Sequence, residues 1–200
     1  MTTSHFDRSA ANWDQRPMSQ QLARLVAPLL QSLPLKADQQ WLDFGAGTGM
    51  LALPLAEQVA QVTALDTSEK MLEVLAEKGR DNIETRHQDI FAGLNARFDG
   101  LVSCMALHHV ADTVRLLHTF AAHLKPGGCV ALVDLYKEDG SFHGDNAGKG
   151  VQHFGFEPVE LEAQLQAAGF EDICFKEILQ LQHKNGRAYP LFLALAFLPG

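Results

Sequence analysis

The residues best suited to chemistry stand in a glycine-rich turn, Asp43-Phe44-Gly45-Ala46-Gly47-Thr48-Gly49. The turn follows a short apolar run, residues 40–44, and precedes a helical segment that begins near Met50. Glycines at such a junction permit positive φ angles and let a ligand approach the bare backbone. The same pattern also suits a tight strand-to-helix turn that binds nothing, and the glycines alone do not decide between the two.

Two features of this turn indicate which ligand it would hold. A dinucleotide-binding fingerprint has glycine at its sixth position, whereas here that position is Met50 and the last glycine comes one residue early, at Gly49. The carboxylate of Asp43 would repel a pyrophosphate but could pair with a cationic group. S-adenosylmethionine carries an ammonium and a sulfonium and has no phosphate, so the residue types favour that cofactor over NAD.

A second acid, Asp66, ends the next apolar run, residues 62–65. In a doubly wound sheet a carboxylate at this place faces the crevice beside the first glycine turn. There it can accept hydrogen bonds from both ribose hydroxyls. The alternative is an aspartate that only caps the following helix. Because the glycine turn precedes it, we prefer the ribose role for Asp66.

Short apolar runs and amphipathic helical segments alternate along the chain, which is typical of a parallel α/β sheet. The last two runs flank Lys184-Asn185-Gly186-Arg187, and Asn-Gly favours a tight hairpin turn. The sequence therefore predicts an α/β fold, a doubly wound, Rossmann-like sheet of seven mostly parallel strands with an antiparallel C-terminal hairpin. Predicted strands are 40–44, 62–65, 83–87, 98–104, 129–135, 173–181 and 189–197, and predicted helices are 19–30, 50–58, 69–78, 113–124 and 158–168.

Length and composition restrict the class of protein. Residues 1–200 fit one domain, and 46% hydrophobic with 20% charged residues is ordinary for a globular chain. With 16 Lys and Arg against 24 Asp and Glu, the formal charge is -8, which disfavours nucleic acid as a partner. The sequence does not indicate an oligomeric state.

The cysteines and the apolar segments bear on location. Cys104, Cys129 and Cys174 are far apart in sequence, which predicts free thiols in buried strands of a protein from a reducing compartment. The N-terminal segment lacks an apolar signal core, and no apolar stretch reaches the roughly 18 residues of a membrane span. We therefore expect a cytoplasmic protein without a membrane partner.

Several motifs occur in a characteristic order: WLDFGAGTGMLALPLA at 41–56, VTALDTSEKML at 62–72, HQDI at 87–90, FDGLVSCMALHHV at 98–110 and LKPGG at 124–128. In order and spacing they resemble class I S-adenosylmethionine-dependent methyltransferases. They look closest to the small-molecule group that includes the ubiquinone and menaquinone C-methyltransferases. The motifs are specific for the family and not for a substrate.

The resemblance implies roles for the matching positions. Asp43 and Gly45, Gly47 and Gly49 would hold the methionine end of the cofactor. Asp66 would bind the ribose, and LKPGG would form a turn into the fifth strand. Around the adenosine and the methionine moiety the resemblance places Thr67, Met71, Asp89, Ile90, Cys104 and Met105. Residues 1–35 would form a helical lid segment, in which Trp13 and Arg16 contact the cofactor.

The substrate side is less defined. Family members often carry large insertions that cap the substrate, but here only the loop 137–155 is available. We predict that this loop is mobile without substrate and closes over the methyl group when an acceptor binds. The alternative is a rigid loop packed by Phe142, Phe154 and Phe156. We expect its approaches to contribute substrate contacts through Tyr136, His143 and His153.

Histidines offer the candidate base. His109 follows the fourth strand on the side of the transferable methyl group and is the candidate catalytic residue, whereas His108 is predicted to be a packed, structural histidine. Asp134 is expected to be held by hydrogen bonds inside the sheet edge. The histidines and acids of the loop would allow a metal site, but no ligand spacing is diagnostic, so we predict solvated loop histidines and no metal.

Three other functions compete with a small-molecule methyltransferase. An NAD-dependent oxidoreductase of the doubly wound class is disfavoured by Met50 and by the absence of a Tyr-x-x-x-Lys pair. A nucleic-acid methyltransferase would carry an Asn-Pro-Pro-Tyr type motif after the fourth strand, where Ser103-Cys104-Met105-Ala106 stands instead. A non-catalytic, cofactor-binding regulatory module stays open, because intact binding residues do not guarantee catalysis.

Overall fold

The computed structural model describes residues 5–200. Within that part of the chain seven strands form one sheet in the order β3-β2-β1-β4-β5-β7-β6. The first five strands are mutually parallel, and β7 runs antiparallel to both β5 and β6. The strands are β1 Gln40–Phe44, β2 Gln61–Asp66, β3 Ile83–His87, β4 Phe98–Cys104, β5 Leu124–Leu135, β6 Glu171–Gln182 and β7 Ala188–Phe197.

Helices cover both faces of the sheet. Because side chains alternate along a strand, Trp41 packs into one apolar cluster and Leu42 into the other. The first cluster holds apolar residues of the N-terminal helices and of α4 and α5, and the second holds those of α6 and α7. The helices are α1 His5–Ser9, α2 Pro17–Leu22, α3 Val26–Leu30, α4 Ala52–Ala56, α5 Glu69–Glu77, α6 Thr113–Ala122 and α7 Pro158–Ala167.

The structure confirms the predicted fold class, including the antiparallel C-terminal strands. The predicted helix 19–30 is interrupted by a 3-10 turn at Ala23–Leu25. Pro28 has no N–H to donate to the carbonyl of Arg24, so a continuous α-helix is broken there. The predicted turn at 124–128 is instead the irregular start of β5, with a register shift opposite Phe98 and Gly100.

The cysteines are free, as predicted, but they are not all buried. Cys129 is buried and Cys104 is half-buried, whereas Cys174 is exposed on β6, the strand at the sheet edge. An edge strand is covered on fewer sides than a central one, which the apolar run around Cys174 does not reveal. Among residues 5–200, no helix is long and apolar enough to cross a bilayer.

Candidate active site

A crevice of about 670 Å³ opens at the carboxyl ends of β1, β2 and β4. β1 pairs with β2 on one side and with β4 on the other, so the chain reverses its winding direction here. Open α/β sheets bind their ligands at such a switch point. The glycine turn, the end of β2 and the segment after β4 form its walls.

The glycine turn has the backbone geometry that only glycine adopts easily. Gly45, Gly47 and Gly49 have φ angles of +70°, +53° and +90°. A Cβ on Gly45 would lie 2.5 Å from the Cβ of Ala106, and one on Gly49 would lie 2.3 Å from a Leu75 methyl carbon. Gly47 differs from both, because its Cβ would meet nothing within 4 Å. Gly45 and Gly49 therefore allow close packing, whereas Gly47 presents open backbone to the crevice.

Asp43 is a buried acid at the end of β1, with 2% of its surface exposed. Its Oδ2 atom has no hydrogen-bond partner among the described residues. Burial and the neighbouring carboxylate of Asp66 raise the pKa of Asp43 to about 7. An unpartnered buried carboxylate is costly, so this atom is suited to receive a cationic group.

Asp66 organises the turn from the end of β2. One carboxylate oxygen accepts the backbone N–H of Gly47 at 2.8 Å, and the other accepts that of Ser68 at 2.8 Å. Burial raises the pKa of Asp66, against the effect of these backbone hydrogen bonds. A carboxylate has about four acceptor sites, so Asp66 keeps capacity to accept from a ligand hydroxyl. The helix cap is made by Ser68, whose side chain accepts from the N–H of Met71.

The other sequence-predicted cofactor residues of β2 to β4 all line this crevice: Thr67, Met71, Asp89, Ile90, Cys104 and Met105. Asp89 is exposed, and its Oδ1 accepts the N–H of Phe91 at 2.9 Å. Ile90 is buried at the crevice floor. Met105 has a φ of 57°, a left-handed conformation that non-glycine residues rarely adopt. Such strain is typical of functional sites, where the surrounding structure maintains it.

The N-terminal segment covers the crevice and is attached by contacts that the sequence did not reveal. The carboxylate of Asp14 accepts a hydrogen bond from the hydroxyl of Thr48. It also forms an ion pair with Lys78 at 2.7 Å. Lys78 also donates to the carbonyl of Thr48 at 2.6 Å. Trp13 lines the crevice as predicted. Residues 1–4 of the predicted lid segment lie outside the described residues.

A second cavity of about 430 Å³ lies next to the first, and six residues line both: Phe6, Trp13, Ser19, Leu22, Met105 and His109. Arg16 lines only this second cavity, with its guanidinium 4.6 Å from the centre of the Trp13 ring. The structure therefore places Arg16 away from the crevice in which the sequence predicted it. Other walls come from α2, the loop 137–155 and the β6–β7 hairpin.

Only one of the three predicted substrate residues reaches these cavities. His143 lines the second cavity. Tyr136 packs against Phe192 in the opposite apolar cluster, because its side chain leaves β5 on the other face of the sheet. His153 turns away as well, and its Nε2 lies 2.9 Å from the carbonyl of Val110.

The loop 137–155 is tied to its surroundings. Backbone N–H groups of Gln152 and His153 donate to the carbonyl of His108 at 2.9 and 3.1 Å. Phe142 is buried in the core, while Phe154 is 41% exposed. These contacts favour the packed alternative over the predicted mobile lid, with Phe142 as its anchor and Phe154 outside it.

His109 lies at the junction of the two cavities. Burial and the neighbouring His108 lower the pKa of His109 to about 4. His108 is 1% exposed, and its Nδ1 lies 2.7 Å from Asp134 Oδ1. The predicted packing of His108 and the internal hydrogen bonds of Asp134 are thus present.

The fold and the site define a class I S-adenosylmethionine-dependent methyltransferase. Its marks are the parallel sheet with an antiparallel C-terminal hairpin, the glycine turn and the two acids beside that turn. The crevice fits that cofactor, because Gly47 leaves room for a ligand there. Asp43 is not among the lining residues, but its unpartnered carboxylate lies directly before the glycine turn and would pair with a cationic ligand group. The chain belongs to the methyltransferase domain family, whose match covers residues 13–174. S-adenosylmethionine is the cofactor of this class.

Individual relatives agree with this assignment. A ubiquinone biosynthesis O-methyltransferase of Xanthomonas axonopodis is 30% identical over 165 residues, which is 74% of this chain and 65% of the relative. The chain spans about half the length of the curated relatives that it matches.

Two solved structures share the fold. One belongs to a complex between the Trm112 methyltransferase activator of Haloferax volcanii and a methyltransferase, with a TM-score of 0.84, 18% identity and full coverage of both chains. The other is Haemonchus contortus phosphoethanolamine N-methyltransferase 2 bound to phosphomonomethylethanolamine and S-adenosylhomocysteine, with a TM-score of 0.74 and 18% identity, covering 97% of this chain and 60% of that chain.

Proposed function

We propose that the protein transfers the methyl group of S-adenosylmethionine to a small-molecule acceptor that carries an anionic group. The observation that carries this proposal is the second cavity, which shares Met105 and His109 with the cofactor crevice. Its volume of about 430 Å³ suits a small molecule, since ligand pockets commonly measure about 300–1,000 Å³. A macromolecule would need an open groove instead.

The charge of the second cavity supports an anionic acceptor. Arg16, Lys149 and Lys184 line it, and none of them forms an ion pair with a carboxylate of the described chain. Lys149 instead donates to the carbonyl of His143 at 2.6 Å. Three cations in one cavity of a chain with a formal charge of -8 favour a carboxylate or phosphate on the acceptor.

The residues would promote transfer mainly by alignment and by excluding water. The cofactor supplies an electrophilic methyl group on a positively charged sulfur. Asp43 would hold its ammonium, Asp66 its ribose hydroxyls and Asp89 its adenine amino group. Trp13 and Phe6 cover the junction between the cavities, where they would limit the access of water. His109 lies at the same junction and would contact the acceptor.

A methyl-transfer screen tests the proposal. Purified protein is incubated with S-adenosylmethionine and pools of small anionic or neutral compounds, and S-adenosylhomocysteine formation is followed. We expect turnover in anionic pools and a raised KM for the acceptor in Lys149→Ala, with Lys36→Ala, on an exposed loop, as the matched control. Cofactor binding without turnover in any pool would instead indicate a non-catalytic module, and turnover of neutral acceptors alone would remove the anionic requirement.

Asp66→Ala is expected to weaken S-adenosylhomocysteine binding about tenfold or more without unfolding the protein. It removes a charge-assisted hydrogen-bond acceptor, worth about 1.5–3 kcal/mol, and releases the N–H of Gly47. Calorimetry and thermal unfolding give the affinity and the fold. Asp112→Ala is the matched control, because Asp112 only caps α6. An unchanged affinity in Asp66→Ala would show that Asp66 has only a structural role and does not bind the ribose.

A further inference from the structure

We propose that His108, His109 and His143 form a binding site for a divalent transition metal at the wall of the second cavity. His108 and His109 lie on a 3-10 turn after β4, and His143 comes from the loop 137–155. A ligating nitrogen from each imidazole lies within 4.8 Å of those of the other two. All three residues line the cavity.

The state of His108 is the observation that points to a ligand. Its Nδ1 faces Asp134 Oδ1 at 2.7 Å, so Nδ1 carries the hydrogen and Nε2 keeps its lone pair. Nε2 is buried and has no partner among residues 5–200. An unsatisfied buried nitrogen costs free energy, which a metal ion would recover.

Asp134 orients His108 for metal binding, because its carboxylate holds the other ring nitrogen. It is fully buried in β5 and also accepts the N–H of Leu135 at 2.8 Å, which fixes its orientation. A carboxylate that holds a histidine by its second nitrogen sets the tautomer and raises the basicity of the ligand. Its negative charge also offsets that of a bound cation, in a cavity that otherwise contains Arg16 and Lys149.

The three ligating nitrogens must move closer together to share a metal ion. They lie within 4.8 Å of one another. Tetrahedral Zn²⁺ with bonds of about 2.0–2.1 Å separates its nitrogen ligands by about 3.4 Å. Rotation of the imidazole rings about their side-chain bonds would bring the nitrogens to that separation.

Three imidazoles leave one coordination position open toward the cavity. Such a set suits zinc and related metals with an affinity for imidazole, and an open position is typical of catalytic zinc sites. The metal would then give His109 a ligand role in place of the predicted proton transfer. The site goes beyond the proposed function, since metal binding is measurable without any acceptor or cofactor.

Metal binding by tag-free, chelator-treated protein tests the site. In equilibrium dialysis against Zn²⁺ we expect one equivalent per chain, and Co²⁺ should give the visible absorption of a low-coordinate site. His143→Ala should weaken Zn²⁺ binding at least tenfold, and Asp134→Asn by about 10–100-fold. His183→Ala, in the same cavity but outside the cluster, is the matched control and should bind as the wild type does.

Circular dichroism on each variant separates lost binding from lost folding, which matters for the buried Asp134. His143 lies on a loop and is half-buried, so His143→Ala is expected to fold. Failure of the wild type to bind stoichiometric Zn²⁺, or equal binding by the wild type and a folded His143→Ala, would overturn the proposal. Loss of binding in His143→Ala with retention in His183→Ala would support it.

Discussion

Asp43→Asn is expected to weaken S-adenosylhomocysteine binding on the order of a hundredfold in a protein that stays folded. The substitution keeps the shape of the side chain and removes the charge that would pair with the ligand ammonium. Loss of a buried, charge-assisted pair costs about 3 kcal/mol, which is roughly a hundredfold in Kd. Calorimetry at pH 8 measures the change. Asp81→Asn, an exposed acid outside the crevice, is the matched control.

The same variant is expected to change the pH dependence of stability. The unfolded chain releases the Asp43 proton near the ordinary pKa of 3.8, whereas the folded, ligand-free protein holds it up to about 7. Ionisation of Asp43 therefore reduces stability as pH rises through this window, and the loss levels off above it. Between pH 5 and pH 8, the Tm of Asp43→Asn should move upward relative to that of the wild type.

Cofactor affinity should follow the opposite trend with pH. A cationic ligand binds the ionised carboxylate, so wild-type affinity should fall below pH 7 by at most about tenfold per pH unit. Asp43→Asn should lack this component. Wild-type-like affinity in Asp43→Asn, or the same pH profile in both proteins, would show that this acid does not receive the ligand ammonium.

The fold could be predicted from the sequence because the residues that begin and end its strands are adjacent to them in sequence. β1, β3 and β4 have the predicted bounds. β1 and β3 are bounded by glycine or polar residues at both ends and β4 by Arg97 at its start. The sheet order follows from the alternation of strands and helices. The break before α3 lies at Ala23–Leu25, one turn ahead of Pro28. Proline removes one helical hydrogen bond and its ring crowds the carbonyl four residues earlier, but neither effect fixes the residue at which the helix breaks.

The residues that line the cofactor crevice were also predictable, because they lie at or directly after the ends of strands in the sequence. The acceptor side was not. Tyr136 and Arg16 both stand beside predicted elements, but the face to which each side chain turns depends on packing partners distant in sequence. The grouping of His143 with His108 depends on a loop path held by bonds such as Gln152 N–H to the His108 carbonyl. No local pattern encodes such a contact.

Two alanine substitutions in the glycine turn should separate folding from ligand binding. Gly45→Ala introduces a methyl carbon 2.5 Å from Ala106 Cβ, far inside the ordinary carbon separation of about 3.5–4.0 Å. Its φ of +70° adds strain of about 1–2 kcal/mol. Each kcal/mol lost lowers Tm by about 2–4 °C in a chain of this size, so Gly45→Ala should lose many degrees.

Gly47→Ala is expected to reduce ligand binding more than thermal stability. Its φ of +53° brings comparable strain, but the new methyl group meets nothing within 4 Å and stands in the crevice instead. Tm should therefore fall by only a few degrees, while S-adenosylhomocysteine binding weakens about tenfold or more, because the methyl group takes the place of ligand atoms. Thermal unfolding and calorimetry on both variants give the two quantities independently.

The double variant Gly45→Ala/Ala106→Gly isolates the steric contribution. Removal of the Ala106 methyl group abolishes the 2.5 Å contact and leaves the strain at residue 45, so Tm should recover in part and end close to that of Gly47→Ala. Because contacting residues couple, the combined effect should be smaller than the sum of the single ones. Equal Tm losses in Gly45→Ala and Gly47→Ala, with binding reduced only in proportion to the folded fraction, would mean that Gly47 serves the turn and not the ligand.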